Sequence, residues 1–172
     1  KYPLQIKSLL AEAVCLTSLL GALLKDEDAQ LTLQAQTESG VISLLACDYK
    51  DGDVRGYVQF DAERLVREPL EPSLMALFGK GYLAITFDHP APRGRSQGIV
   101  PLEGGNLTEA VQNYFMQSEQ IPTVIRVALE LEGDRTIVGG LLVQHLPDGE
   151  DGKERLHVRM DHPEWEHVAI MG

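Results

Sequence analysis

Two stretches of the chain repeat apolar residues at the spacing of an α-helix. One runs over residues 4–24, and the other opens at Asn106 and continues to residue 117. Residues three and four apart lie on one helix face, so each stretch predicts a helix with an apolar side. The second helix is predicted to end before Pro122, because proline lacks a backbone donor and favours extended geometry in the residue before it.

Other segments alternate apolar with polar residues or form short apolar runs, as β-strands do. Glu38-Ser39-Gly40 and Asp51-Gly52 are turn signals between such segments. The predicted strands are 30–36, 41–48, 54–60, 82–88, 96–100, 124–131 and 136–146. A short helix is predicted at 73–78, a charged glycine-rich loop at 148–155, and a further helix from Asp161.

The two long helices begin with nearly the same residues. Leu10-Ala11-Glu12-Ala13-Val14 is matched by Leu107-Thr108-Glu109-Ala110-Val111, and a charged turn and a hairpin follow each helix. Chance remains the competing explanation for so short a match. The short connections favour antiparallel pairing. We therefore expect an α+β fold of mostly antiparallel sheets covered by helices, with two similar helix-plus-hairpin halves.

Composition and charge narrow the function classes. The 172 residues suit a single domain, and 44% hydrophobic residues provide for a core. A net charge of -11 repels nucleic acid, and the tightest basic cluster is only Arg93 and Arg95. No nucleic-acid partner is expected.

The cysteines and the longest apolar stretch indicate a reducing cytoplasm. Cys15 and Cys47 lie in apolar surroundings, which predicts buried reduced thiols, although a disulfide between them stays open. The apolar stretch 9–24 contains Glu12, Thr17 and other polar residues, so it indicates a buried helix and no membrane partner. The chain starts without methionine and ends within a predicted helix, so we expect a fragment truncated at both ends.

No motif for catalysis or cofactor binding survives closer inspection. His162 and His167 are five residues apart and share no helix face, so no metal site is expected. Ser96 lies in a Gly-x-Ser-x-Gly pattern, but a strand and not a helix follows it. Asp88-His89 resembles an acid–base pair and is better explained as a strand end. The pair of glycines before Asn106 is explained by a helix N-cap. We therefore expect no enzyme and no cofactor.

Three consecutive large apolar residues end the second long helix. Tyr114, Phe115 and Met116 cannot all lie on one stripe of a helix, so one of them, Met116 by preference, should face solvent or a partner. Packing by other elements is the alternative. Methionine suits an adaptable binding surface, so the three residues are the candidate site for binding a partner.

This region carries a resemblance to a known family. The run from Tyr114 to Thr123, Tyr-Phe-Met-Gln-Ser-Glu-Gln-Ile-Pro-Thr, resembles a signature of the redox-regulated 33 kDa heat-shock chaperone (33 kDa chaperonin) family. Residues 79–86, 97–104 and 139–144 also resemble the family, in the same order along the chain.

The resemblance implies the amino-terminal core domain of a cytoplasmic, ATP-independent holdase that binds unfolding clients under oxidative stress. It also implies a zinc redox switch with Cys-x-Cys and Cys-x-x-Cys pairs in a carboxy-terminal module. Cys15 and Cys47 do not form such pairs, and the family's first strand is also missing, so residues 1–172 are expected to be one core domain without zinc.

The partners implied by the resemblance are unfolded proteins, with a homodimer left open. On this interpretation Tyr114, Phe115 and Met116 are the candidate client-binding residues. Two rival functions remain: a specific protein-interaction domain on the same fold, and an enzyme using His89 or Ser96. Competition among unrelated clients would separate the first from a chaperone.

Overall fold

The computed structural model describes residues 2–132 and 135–145. The predicted loop at 148–155, the predicted helix from Asp161, and His157, His162 and His167 lie outside this part of the chain. In chain order the elements are α1 (Leu4–Gly21), β1 (Gln30–Thr37), β2 (Ile42–Lys50), β3 (Asp53–Phe60), α2 (Ala62–Leu65), α3 (Leu74–Phe78), β4 (Gly81–Asp88), β5 (Arg95–Pro101), α4 (Leu107–Tyr114), a π-helical turn (Phe115–Glu119), β6 (Thr123–Glu132) and β7 (Arg135–Gln144).

All strand pairs among the described residues are antiparallel, and they form two sheets. The larger sheet has the order β3-β2-β1-β4-β5, and the smaller one is the β6–β7 hairpin. The turn at Asp51-Gly52 has positive φ at both residues, as a tight hairpin turn requires. The α+β prediction with antiparallel sheets is confirmed.

Helices α1 and α4 lie together between the two sheets. Helix α1 contacts β1, β2 and β3 on one side and β6 and β7 on the other, and α4 contacts α1, β5 and β6. The core is continuous across both layers, from Leu33 and Leu45 in the large sheet through Leu16 to Ile125 in the hairpin. Each helix is followed by antiparallel strands, as the sequence echo predicts, and the structure adds that both helices share one interior.

Glycines allow the elements to approach closely. A Cβ atom on Gly56 of β3 would lie 2.7 Å from Leu10 of α1, and one on Gly140 of β7 would lie 2.7 Å from the Cys15 sulfur. A glycine pair inside a strand, such as Gly139-Gly140, indicates either a bulge or a close approach of another element. The register is regular there, so the close approach is what the structure contains.

The elements differ from the predictions at two places in the first half of the chain. Helix α1 ends at Gly21 instead of residue 24, because Gly21 packs against the ring of Tyr49 and the chain turns with an N–H donated by Leu23 to Leu20. Helix α2 was not predicted. It forms because the Asp61 carboxylate accepts from the backbone N–H groups of Glu63 and Arg64, which is N-capping.

Candidate functional site

The three candidate client-binding residues lie at the junction of α4 and the π-helical turn. Asn106 starts α4 by accepting from the Glu109 N–H at 2.9 Å, as its predicted role as N-cap requires. The α-helix ends at Tyr114, and the turn Phe115–Glu119 has the wider π geometry. Gln120 then adopts a left-handed conformation, and the Ile121 N–H donates to the Phe115 carbonyl at 3.1 Å. The chain therefore leaves the helix just before Pro122.

Tyr114 and Phe115 belong to the core. Their exposed fractions are 1% and 3%, and their rings meet edge to face with centroids 5.5 Å apart. The Tyr114 ring packs on Gly98 of β5, where a Cβ atom would lie 2.3 Å from the ring. The Tyr114 hydroxyl donates to the Glu119 carboxylate at 2.7 Å. Burial, and after it the hydrogen bond to Glu119, raises the pKa of Tyr114.

Met116 lies at the surface with half of its area exposed, as the sequence analysis expected. Of the three predicted residues, it is the one that a partner can reach in this structure. Tyr114 and Phe115 could contact a client only after the π-helical turn opens, because their side chains fill the core. Client binding by these three residues stays a prediction.

Larger apolar exposure occurs at two places that the sequence analysis missed. The first is the segment from Val66 to Met75, and the second is the β6–β7 hairpin. The exposed large side chains at these places are Val66, Leu70, Met75, Leu129, Leu131, Ile137 and Leu141. The run Leu129-Glu130-Leu131-Glu132 alternates like a half-buried strand, so the pattern suggested a covered face and not an exposed one.

The two exposed regions meet at one groove. A cavity of about 180 Å³ lies between the first half of α1, the segment before α3, the start of α4 and the hairpin. Leu70 and Leu129 come from the two exposed regions and both line it, together with Leu9, Leu74 and Leu107. Large exposed apolar patches are rare on monomeric proteins, and they usually mark a site that binds a protein, a membrane or a ligand.

A second cavity, of about 620 Å³, adjoins the first and shares Glu12, Asn106 and Leu129 with it. It runs between α4 and β6. Its lining is mixed: Glu12, Thr108, Glu109 and Gln112 from the helices, with Ile125, Val127 and Leu129 from the strand.

His89 and Ser96, the two candidate catalytic residues, both occupy structural positions. His89 Nδ1 lies 3.0 Å from the Asp26 carboxylate, which also accepts from Arg93 at 3.1 Å, and the His89 ring stacks on Phe87. Ser96 lies inside strand β5, so its Gly-x-Ser-x-Gly pattern is not the strand–turn–helix elbow of a hydrolase. Among the residues described, no group of three or more His, Cys, Asp or Glu side chains is placed to hold a metal ion.

The two cysteines are free and buried on opposite sides of α1. The Cys15 sulfur faces Gly140 of the hairpin, whereas Cys47 lies in the large sheet beside Gly56 and Thr17. The structure confirms the prediction that both thiols are buried, and they are not joined to each other. Burial raises the pKa of the Cys47 thiol to about 11 and also raises the pKa of Cys15.

Helix α1 is the one described helix whose length and hydropathy would allow it to cross a membrane. Core helices pass the same test. Eight of its residues are buried, and it lies between the two sheets, as the sequence analysis predicted for the apolar stretch 9–24.

Comparisons with known proteins agree with this architecture. The family model "Hsp33 protein" matches residues 1–169. The 33 kDa chaperonin of Pseudomonas putida (strain GB-1) is 36% identical over 99% of this chain and 53% of its own length. That of Photorhabdus laumondii is 37% identical over 88% of this chain and 50% of its own length. The chain thus spans about half the length of these curated relatives.

A crystal structure of the 33 kDa chaperonin from Thermotoga maritima shares the fold, with a TM-score of 0.65 and 24% identity over 78% of this chain and 46% of that one. An α+β class of helices between antiparallel sheets is therefore common to both. The chain belongs to the Hsp33 protein family, whose matched curated relatives are named 33 kDa chaperonin. It is a family of chaperones and not of enzymes.

Proposed function

We propose that this chain is the client-binding core of an ATP-independent holdase chaperone in the cytoplasm. It binds unfolding proteins through exposed apolar side chains, and no bond is made or broken. The observation that carries the proposal is the meeting of two exposed apolar regions, represented by Leu70 and Leu129, at one groove. Membership of a chaperone family supports it.

Redox control is assigned in this proposal to the part of the longer relatives that the chain does not match. Cys15 and Cys47 are buried on opposite sides of α1, which makes them unsuited to a metal-based switch. The chain is proposed to need no cofactor for client binding. Client binding should therefore be the same in the presence and in the absence of reductant.

Suppression of aggregation tests the proposal. A protein that aggregates on heating is mixed with this chain, with and without reductant, and light scattering is recorded. We expect suppression under both conditions, together with binding of a hydrophobic dye. Absence of suppression under both conditions would contradict the proposal.

A pair of surface variants tests the groove. Leu70→Ser with Leu129→Ser should weaken suppression and dye binding. Leu23→Ser is the matched control, because Leu23 and Leu129 are each 40% exposed but Leu23 lies beyond the opposite end of α1. Equal loss in both variants would show that the groove is not the binding surface. Suppression of only one client among several unrelated ones would favour a specific interaction domain instead.

A further inference from the structure

The hydrogen-bond phase of the β6–β7 hairpin determines which backbone groups of β6 point outward. The His145 N–H donates to the Pro122 carbonyl at 2.9 Å, and these residues continue the register of the two strands. Pairs alternate in an antiparallel ladder, so the even-numbered residues of β6 bond to β7. In agreement, the Ile125 N–H points away from β7 and donates to Gln112 of α4 at 2.6 Å. The N–H and C=O groups of Val127, Leu129 and Leu131 therefore point outward.

Among the described residues, side chains hydrogen-bond to the outward backbone groups at the start of this edge, but not to those further along it. At Ile125, Gln112 accepts from the N–H, and the Arg126 guanidinium donates to the C=O at 3.0 Å. Within residues 2–132 and 135–145, no group outside the hairpin bonds to the backbone of Val127, Leu129 or Leu131. An uncapped strand edge next to apolar side chains is a template for a further strand.

The space beside this edge can hold an extended chain. The cavity of about 620 Å³ runs between α4 and β6, so its strand side is the outward edge. The side chains of Ile125, Val127 and Leu129, which alternate along the strand, form an apolar wall. A strand added here would bury its own apolar residues against the same wall.

The charge of the groove indicates which extended chains fit. Glu12 and Glu109 line it from the helices, and Arg126 is the one basic residue of the described lining. The Arg126 guanidinium is directed to the Ile125 carbonyl and to Gln112. The net charge of the chain is -11. Charge complementarity therefore favours an occupant with lysine or arginine between its apolar residues, and it disfavours a second copy of this chain.

We propose that the outward edge of β6 and the cavity beside it bind an extended client segment of alternating apolar and basic residues as an added β-strand. This inference rests on the proposed holdase function and specifies the conformation and the chemistry of the client. Main-chain hydrogen bonds supply binding that does not depend on the client's exact sequence, whereas the acidic groove selects its charge.

Amide exchange tests the edge directly. The isotope-labelled chain is mixed with a synthetic peptide of alternating valine and lysine, and exchange is followed by NMR. The amides of Val127, Leu129 and Leu131 should become protected, and those of Val138 and Gly140 on the outer edge of β7 should not. A peptide of alternating valine and glutamate is the charge control and should bind at least about tenfold more weakly. Equal affinity for both peptides, or protection on β7 alone, would overturn the proposal.

Two proline variants provide a matched pair. Leu129 and Val138 are opposite each other, and each points its N–H outward, so Leu129→Pro and Val138→Pro each remove one outward donor without removing a ladder bond. Leu129→Pro should lower the affinity for the valine–lysine peptide by about tenfold. Val138→Pro should change that affinity by less than about twofold. Equal effects would contradict strand addition at β6.

A modified peptide keeps the test decisive if a variant does not fold. N-methylation of every second amide blocks one edge of the valine–lysine peptide. Two such peptides are compared, methylated on the odd-numbered or on the even-numbered amides, and only one of the two should lose binding. Binding of both methylated peptides would overturn the proposal. Protection of the β6 amides at high concentration without peptide would instead assign the edge to a second copy of the chain. If aggregation is suppressed but these amides stay unprotected, strand addition fails and the holdase proposal stands.

Discussion

Single glycines determine how closely the helices approach the sheets. Gly56, Gly98 and Gly140 each lie where a methyl group would overlap a side chain of a helix. Gly98 receives the Tyr114 ring, and Gly140 receives Cys15 and Leu19. These contacts are local, so they can be tested by adding one carbon atom.

Gly140→Ala should destabilise the protein by about 1–3 kcal/mol, because its Cβ would lie 2.7 Å from the Cys15 sulfur and 2.8 Å from Leu19. Gly139→Ala is the matched control in the same strand. No atom lies within 4 Å of its added Cβ, so its stability should stay within about 0.5 kcal/mol. Denaturant unfolding measures both, and equal losses would contradict the packing of β7 on α1.

The sequence anticipated close approach at Gly140 but not at Gly98. A glycine pair within a strand is a recognisable signal, since such a residue weakens a strand unless something packs on it. Gly98 in the run Ser96-Gln97-Gly98 resembled only the last glycine of a Gly-x-Ser-x-Gly pattern. Its partner Tyr114 comes from a distant helix, and no local pattern specifies that contact.

At the scale of elements, one carboxylate joins the two central helices. Glu12 of α1 accepts from the Thr108 N–H at 2.9 Å and from the Thr108 hydroxyl at 2.7 Å. Thr108 lies in the first turn of α4, where backbone N–H groups lack helical partners and favour negative charge. The contact therefore holds α4 at a fixed position along α1.

Glu12→Ala should destabilise the protein by about 1–3 kcal/mol, because the partly buried donors of Thr108 lose their acceptor. Glu12→Gln keeps an acceptor oxygen and should lose less. Thermal unfolding followed by circular dichroism measures both variants. If the two variants are equally stable, hydrogen bonding to Thr108 is not what Glu12 contributes.

Most elements were predictable because their patterns are local. Helix α4 has an N-cap and an apolar face, and the β1–β2 and β2–β3 hairpins have turn residues between alternating strands. The π-helical turn was not predictable, because it differs from an α-helix only in hydrogen-bond phase. The short helix α2 was missed because four residues give no periodicity.

At the scale of the whole molecule, burial of titratable groups links stability to pH. Burial raises the pKa of Cys47 from 9.0 to about 11, and it also raises the pKa of Tyr114. The folded chain therefore holds these protons more tightly than the unfolded chain does. For Cys47 the resulting stabilisation is fully present below about pH 9. It is lost as the pH rises towards 11, because the unfolded chain then releases its protons first.

We therefore expect the free energy of unfolding to fall by about 2–3 kcal/mol between pH 9 and 11 on account of Cys47 alone. Cys47→Ala should make this fall shallower, while Tyr114 keeps part of it. Chemical denaturation at a series of pH values is the measurement. An unchanged pH dependence in Cys47→Ala would show that the thiol does not titrate as inferred.

The candidate site was predictable only in part, since exposure is a property of the assembled molecule. Met116 could be placed at the surface because three consecutive residues cannot share a helix stripe. The groove at Leu70 and Leu129 could not, because its walls come from α1, the segment before α3, α4 and β6. Residues separated by more than fifty positions meet there only after folding.

Helix α1 carries Cys15 on the face towards the hairpin, has Cys47 on its opposite side, and packs against both sheets. Removing the hairpin would expose Cys15 and Leu19 of α1 to water. It would also weaken the packing of the larger sheet on the same helix. A strand bound to β6, as we propose, would therefore act on both sheets through α1.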